Sequence, residues 1–322
     1  MAEFARSPLH GMKEVQPMES PRRGGPSGQR GKLLLHLLLI SIPMVTAGCS
    51  GDVTAPGDTQ VPDFSWQPGA YNFSSFVSGA RGRVFYSVYL PLGWTSEGSE
   101  AYPLIFYLHG QGGNEGIFPR EVPESQLNRW ISWGLVPPFV VVALRAAHPI
   151  DTDQWYDPEN VTLLTSEGSD ELRAFCWNTF RAGGDSRHTS VHGQSRGASG
   201  ALYFALNHWD KFASAVANAF VSDYALSDHK QAATLNRDAI VESGILLRMT
   251  IGSEDEFARE HERIGSFLLD AHLTTLGIPH EFEVLPGVGH GLSPQWFFVR
   301  PDGKLNGLHE LQLHARAWAG GR

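Results

Sequence analysis

His188-Thr189-Ser190-Val191-His192, then Gly193-Gln194-Ser195-Arg196-Gly197, then Ala198-Ser199-Gly200-Ala201-Leu202-Tyr203-Phe204-Ala205-Leu206: this stretch decides the fold. The β-branched Thr189 and Val191 favour extended backbone ahead of the turn. The small residues behind it suit a helix. The centre has the form G-x-S-x-G, so the whole reads as strand, sharp turn and helix. Such a turn holds its serine in a strained conformation with Oγ exposed above a sheet. Glycines two before and two after the serine fit because side chains would collide where strand and helix approach. An ordinary glycine-rich turn would share the motif, but the flanking pattern favours a nucleophilic serine at Ser195.

Short apolar runs alternate with helix-like stretches on both sides of this turn. Residues 83–90 alternate in places and read as an early, partly exposed strand. Residues 104–108 and 139–144 are continuous apolar runs, as expected of strands covered on both faces. Weaker strands are expected at 188–192 and 212–218, and clearer ones at 245–251 and 281–285. The plainest helix covers 256–276, with Phe257, Ile264, Phe267, Leu268, Ala271 and Leu276 apolar and Gly277 closing it. The alternation predicts an α/β fold with a mostly parallel central sheet and helices on both faces. No linker interrupts it, so residues 69–322 are expected to form one catalytic domain.

A serine hydroxyl needs a general base within hydrogen-bond reach, and the base needs an orienting acid. These groups gather at the carboxyl ends of parallel strands, in chain order serine, acid, histidine. The run at 245–251 ends in Gly252-Ser253-Glu254-Asp255-Glu256. Asp255 is the preferred acid because a short side chain suits a fixed turn; Glu254 and Glu256 read as solvated or as helix starters. Asp223 is the alternative if the acid follows the previous strand. The run at 281–285 ends in Pro286-Gly287-Val288-Gly289-His290-Gly291, which makes His290 the expected base. Among other histidines, His192 lies in a strand, His280 is expected to be exposed and His261 sits on an acidic helix face. A tetrahedral intermediate needs two backbone N–H donors. Arg196 supplies one by position. Gln111, in His109-Gly110-Gln111-Gly112-Gly113, is expected to supply the other, with His109 structural.

On these residues the chain resembles the putative-esterase (esterase D-like, feruloyl esterase-like) family of α/β-hydrolases. Val88-Tyr89-Leu90-Pro91, Pro103-Leu104-Ile105-Phe106-Tyr107-Leu108-His109-Gly110, the Ser195 turn, Gly252-Ser253-Glu254-Asp255, Leu276-Gly277-Ile278-Pro279 and the loop from Gly287 to His290 carry the likeness, from about residue 70 to 320. The turn and the histidine loop are its specific motifs. The resemblance implies an α/β-hydrolase fold, a Ser195–Asp255–His290 triad, and a serine hydrolase cleaving carboxylic esters with no cofactor or metal. Arg196, where the family more often has an apolar residue, and Ala198, where a second glycine is common, depart from it. An arginine there narrows the acyl pocket or favours an acidic substrate group. An acyltransferase or a peptidase would use the same three residues; a non-catalytic surface-binding module would leave their order unexplained.

The ends of the chain carry a different message. Residues 1–48 hold six Lys/Arg against three Asp/Glu, a net +3, so the total of −9 leaves −12 on the remainder. An acidic body argues against a nucleic-acid partner. Basic residues up to Lys32 precede an apolar stretch from Leu33 to Ala47 that is short for a spanning helix, so 1–48 reads as a signal peptide, with Met12 and Met18 as alternative starts. It ends in Thr46-Ala47-Gly48-Cys49, which resembles the lipobox of bacterial lipoproteins, although threonine stands where leucine or valine is usual. The expectation is a lipid on Cys49, a flexible tether over 49–68, and an exported domain held to the cell envelope or secreted. Cys176 would then be the only free thiol, packed as a small apolar residue.

The chain has nine tryptophans, enough to line a cleft as well as fill a core. Trp155 with Tyr156 and Asp157, and Trp296 with Phe297 and Phe298, are candidates to stack on an aromatic or sugar ring of a small-molecule or carbohydrate-linked ester; core packing is the competing reading.

Overall fold

The computed structural model describes residues 65–146, 155–169, 171–221, 223–260 and 265–320, with only the backbone of 223, 224, 259 and 260. Contacts divide the chain into Met1–Gln60 and Val61–Arg322, and every described residue belongs to the second unit. The signal segment, Cys49, most of the tether, His261 and Ile264 lie outside the described residues. No described helix is long and apolar enough to cross a membrane.

One sheet of eight strands carries the fold. In chain order these are β1 (Tyr71–Ser78), β2 (Gly82–Tyr89), β3 (Leu104–Leu108), β4 (Val140–Leu144), β5 (Thr189–Gln194), β6 (Ser214–Asn218), β7 (Leu246–Gly252) and β8 (Glu281–Leu285). They lie side by side as β1-β2-β4-β3-β5-β6-β7-β8, with β1 and β2 antiparallel and all pairs from β4 to β8 parallel.

The helices are α1 (Ile117–Glu121), α2 (Glu124–Ser132), α3 (Pro158–Thr165), α4 (Leu172–Phe180), α5 (Arg196–Asn207), α6 (Asp223–Leu235), α7 (Arg237–Ser243), α8 (Glu256–Glu260), α9 (Gly265–Leu276), α10 (Leu292–Trp296) and α11 (Asn306–Trp318). The stretch expected as one helix over 256–276 is thus described as α8 and α9.

The continuous apolar runs of β3 and β4 are explained by their two-residue period. Leu104, Phe106, Leu108, Val140, Val142 and Leu144 enter one core, with side chains of α3 to α7 and α9. Ile105, Tyr107, Val141 and Ala143 enter the other, with side chains of α1, α2, α10 and α11. Cys176 is a free, buried thiol of the first core, and burial pushes its ionisation far up.

β1 escaped the sequence reading because its alternation runs backwards. Phe73 and Val77 face outward while Asn72 and Ser78 are buried. The Asn72 carboxamide accepts from Gln67 N–H at 2.8 Å and donates to Gln67 C=O at 3.1 Å. Ser78 Oγ donates to Glu171 Oε2 at 2.7 Å. Hydrogen bonding replaces apolar burial at the two ends of this edge strand's inward face, with Phe76 the apolar residue between them.

Candidate active site

Ser195 stands between β5 and α5 with φ 58° and ψ −116°, outside the regions an L-residue favours. A strain of this kind costs on the order of 1–3 kcal/mol and persists only when its surroundings enforce it. Here they do. A Cβ on Gly193 would lie 1.9 Å from the Gly197 carbonyl oxygen, and one on Gly197 would lie 1.9 Å from that of Leu108. The Ser195 N–H donates to the Asn218 carbonyl at 2.8 Å, tying the turn to the end of β6.

The acid and the imidazole come from the next two strand ends. Asp255 follows β7, is 0% exposed, and its Oδ1 accepts the N–H groups of Phe257 and Ala258, both at 3.1 Å. Its Oδ2 lies 2.7 Å from His290 Nδ1. A carboxylate accepts only, so Nδ1 carries the proton and Nε2 presents a lone pair. His290 Nε2 lies 2.8 Å from Ser195 Oγ. The His290 side chain is 13% exposed, so the chain of three is closed at the aspartate and open at the serine. Geometry of this kind lets a hydroxyl proton pass to Nε2 while the carboxylate holds Nδ1–H.

The histidine loop is laid against the acid's turn: Glu254 N–H donates to the Val288 carbonyl at 2.9 Å, and a Cβ on Gly252 would lie 2.0 Å from that carbonyl oxygen. Phe257, expected on a helix's apolar face, is instead 48% exposed, with its ring edge-on to His290 at 4.6 Å between centroids.

Gln111 lies exposed on the loop after β3, and the partly buried Arg196 is the first residue of α5. First-turn N–H groups point out of a helix end and favour negative charge there. His109 shapes the loop: the Ala146 N–H donates to its Nε2 at 3.1 Å, so Nδ1 is protonated and donates to the Gly110 carbonyl at 2.7 Å.

Two expectations are corrected. Trp155 and Trp296 are both 0% exposed, so neither offers a ring face to a substrate. Trp155 donates its indole N–H to the His109 carbonyl at 2.9 Å and packs on Gly200, where a Cβ would come within 2.4 Å. Trp296 packs edge-on to Phe118 and over Gly307. They brace the loop and the core from behind. His280, expected to be exposed, is bonded to Asp270 Oδ1 at 2.9 Å with only 6% of its side chain accessible. Glu254 and Glu256 are exposed beside the buried Asp255, and the Asp223 side chain lies outside the described atoms.

The sequence reading missed two amides. Gln194 Nε2 donates to the His290 carbonyl at 2.7 Å. Gln295, fully buried, reaches the same carbonyl at 3.5 Å and the Gly289 carbonyl at 3.4 Å. Gln194 was visible as the second residue of G-x-S-x-G; nothing in one sequence points to Gln295.

The family model described as "Putative esterase" matches residues 81–267, more than half of the chain. The chain belongs to this family. It is therefore a carboxylic ester hydrolase. The matched span takes in Ser195 and Asp255 and ends before His290. Among solved structures, the esterase is similar to a ferulic acid esterase at 18% identity, with a TM-score of 0.61 over 77% of this chain and 98% of that one. It is similar to an S-formylglutathione hydrolase from Agrobacterium tumefaciens at 19% identity, TM-score 0.54, over 77% and 95% of the two chains. A ferulic acid esterase from Anaeromyces mucronatus in complex with ferulic acid is 16% identical, TM-score 0.54, over 74% and 91%. At these identities the likeness is one of fold. No curated protein matches the chain.

Proposed function

We propose that this esterase works through an acyl-enzyme on Ser195. His290 takes the hydroxyl proton as Oγ attacks the ester carbonyl, then returns it to the departing alcohol. Asp255 holds the imidazole in the tautomer with Nδ1 protonated and stabilises the imidazolium. The N–H groups of Arg196 and Gln111 receive the oxyanion, each worth about 3–4 kcal/mol of barrier. Water then repeats the sequence on the acyl-enzyme.

The observation that carries this reading is the continuous 2.8 Å and 2.7 Å path from the Ser195 hydroxyl through His290 to a fully buried carboxylate. The substrate is a small-molecule or carbohydrate-linked ester; the half-exposed Phe257 ring beside His290 forms an apolar wall for one side of it. Hydrolysis of short p-nitrophenyl esters by the purified chain tests the reaction, and a screen over acetyl, feruloyl and hydroxyalkanoate esters assigns the acyl group. No turnover and no labelling of Ser195 by a fluorophosphonate would overturn it.

We propose separately that the domain is exported and held to the cell envelope by a lipid on Cys49, or secreted; Thr46-Ala47-Gly48-Cys49 after the apolar stretch supports the lipid. Incorporation of labelled fatty acid that Cys49→Ala abolishes is the expected result; incorporation that survives this change would overturn it.

A further inference from the structure

The loop that carries His290 is rich in glycine. Glycine stands at 287, 289 and 291, and Gly287 has φ 72°, open to glycine and few others. Upstream of the histidine the loop is held by the acid's turn: Gly287 N–H donates to Ser253 Oγ at 2.9 Å, and Glu254 N–H to the Val288 carbonyl at 2.9 Å. At His290 itself the short tie is different. It is the 2.7 Å bond from Gln194 Nε2 to the His290 carbonyl, against 3.5 Å from Gln295 Nε2. A carbonyl only accepts, so the Gln194 nitrogen must face it.

The other half of the same carboxamide faces the loop after β3. A Cβ on Gly110 would lie 2.8 Å from Gln194 Oε1 and 3.1 Å from Ser195 Cβ. Gln194 is buried, with 8% exposure, and its backbone directly precedes the serine. One side chain therefore touches the three segments that must keep register: the serine turn, the histidine loop and the start of the loop carrying Gln111. The imidazole must meet Ser195 and Asp255 at once, from a residue with glycine on either side.

We infer that Gln194 is a positioning residue: its carboxamide clamps the His290 backbone to the serine turn, keeping the imidazole in line with Ser195 and Asp255 during turnover. The inference rests on the triad reading above. It makes Gln194 act through His290, without contact to substrate. It also gives a chemical reason for an amide at a position that strand geometry alone would leave to any buried residue.

Gln194→Met keeps the length and removes the donor; Gln194→Glu keeps the shape and replaces the donor by an acceptor at neutral pH. Both are expected to lower kcat on p-nitrophenyl acetate by about 10- to 100-fold, the scale of a misplacement near 1 Å, with KM within about twofold. The downfield Nδ1–H proton resonance of His290, which a purely structural role would leave in place, is expected to broaden or vanish. Ser195→Ala and His290→Ala are measured alongside. If these two lose activity while the folded Gln194 variants keep kcat within twofold and the resonance unchanged, the clamp is refuted and the triad stands. If Ser195→Ala or His290→Ala keeps activity, the triad reading itself fails. If neither Gln194 variant folds, the amide serves the fold and the inference falls.

Discussion

Ser195, His290 and Asp255 make one serine–histidine–acid chain on this sheet; Ser214, His314, His192 and Glu310 make another. In the second, Ser214 Oγ meets His314 Nδ1 at 2.8 Å, His314 Nε2 meets His192 Nδ1 at 3.4 Å, and His192 Nε2 lies 3.5 Å from Glu310 Oε2. Asn218 and Asn306 donate to the two oxygens of Glu310 at 3.2 Å and 2.7 Å, and Arg248 joins through Asn306 at 2.7 Å. The residue types are those of the first chain, and His192 is only three positions from Ser195.

Burial separates the two. Every member of the second chain is sealed between the sheet and α11, and burial pushes His192 down to about 3 and His314 well below its usual range, so both stay neutral. A general base works best when its proton affinity lies near the operating pH. The first chain ends instead in a strained hydroxyl at the rim, with one side of the imidazole open. Ser, His and acid in hydrogen-bond contact are thus not enough; access and a fixed backbone are what remain. The sealed chain closes the polar groups that β5, β6 and α11 bring into the interior, where each unpaired group would cost about 1–3 kcal/mol.

The widest gap between the two is expected from the serines. Ser195→Ala should lower kcat by about 10⁶-fold with the fold intact. Ser214→Ala should leave kcat within about threefold and instead cost about 1–3 kcal/mol of stability, because His314 Nδ1 loses its partner. Steady-state kinetics beside urea unfolding reads both, and a large kcat loss in Ser214→Ala would erase the distinction.

Next come the acids. Asp255→Asn should cost about 10⁴-fold in kcat by inverting the tautomer preference of His290. The neighbouring Glu254→Gln should change it by less than about twofold; equal losses would move the acid elsewhere.

Glu310 sharpens the contrast through pH. Burial raises its carboxyl to about 7 against an ordinary 4.5, so the folded state keeps a proton that the unfolded state releases. Its stabilising contribution is complete below pH 4.5 and is lost as pH rises through about 7. Thermal melts of Glu310→Gln, whose amide stays neutral, should show a flatter decline over that window with kcat little changed. An unaltered slope between pH 4.5 and about 7 would count against a neutral Glu310 in the folded state.

The smallest effect expected is on the acid side. Burial lowers His229 from 6.5 to about 4, so it is neutral in the fold while the unfolded chain takes up a proton; the stability it supports is present above pH 6.5 and lost as pH falls through about 4. His229→Gln should make melts less steep across that range, by a few degrees at most. A slope identical to the parent's would assign acid sensitivity to the other buried histidines.

Much of this was legible in the amino-acid order, for reasons that differ by element. β3 and β4 announce themselves because both faces of each strand are buried, leaving no polar position to blur the run. Ser195 stands out because close backbone approach demands the glycines around it, and His290 because its loop turns through Gly287, whose φ of 72° favours glycine. Asp255 is readable only as one carboxylate among three, and its burial is what sets it apart from Glu254 and Glu256. β1 was hidden by Asn72 and Ser78, whose inward polarity is satisfied by Gln67 five residues back and by Glu171 on a distant segment. Trp155 and Trp296 misled because a tryptophan beside a catalytic loop has the same sequence signature whether it faces substrate or braces the loop from behind. The role of Gln194 depends on a carbonyl 96 residues away, which no local pattern encodes.

The central claim, that the open chain and not the sealed one performs the chemistry, is tested most directly by covalent trapping. The intact protein is treated with a fluorophosphonate, and adduct mass, modified peptide and residual esterase activity are followed together. The account predicts one adduct per chain, on Ser195, with activity falling in proportion to labelling. An adduct on another serine that tracks the loss of activity, or full activity in a chain completely labelled at Ser195, would contradict it.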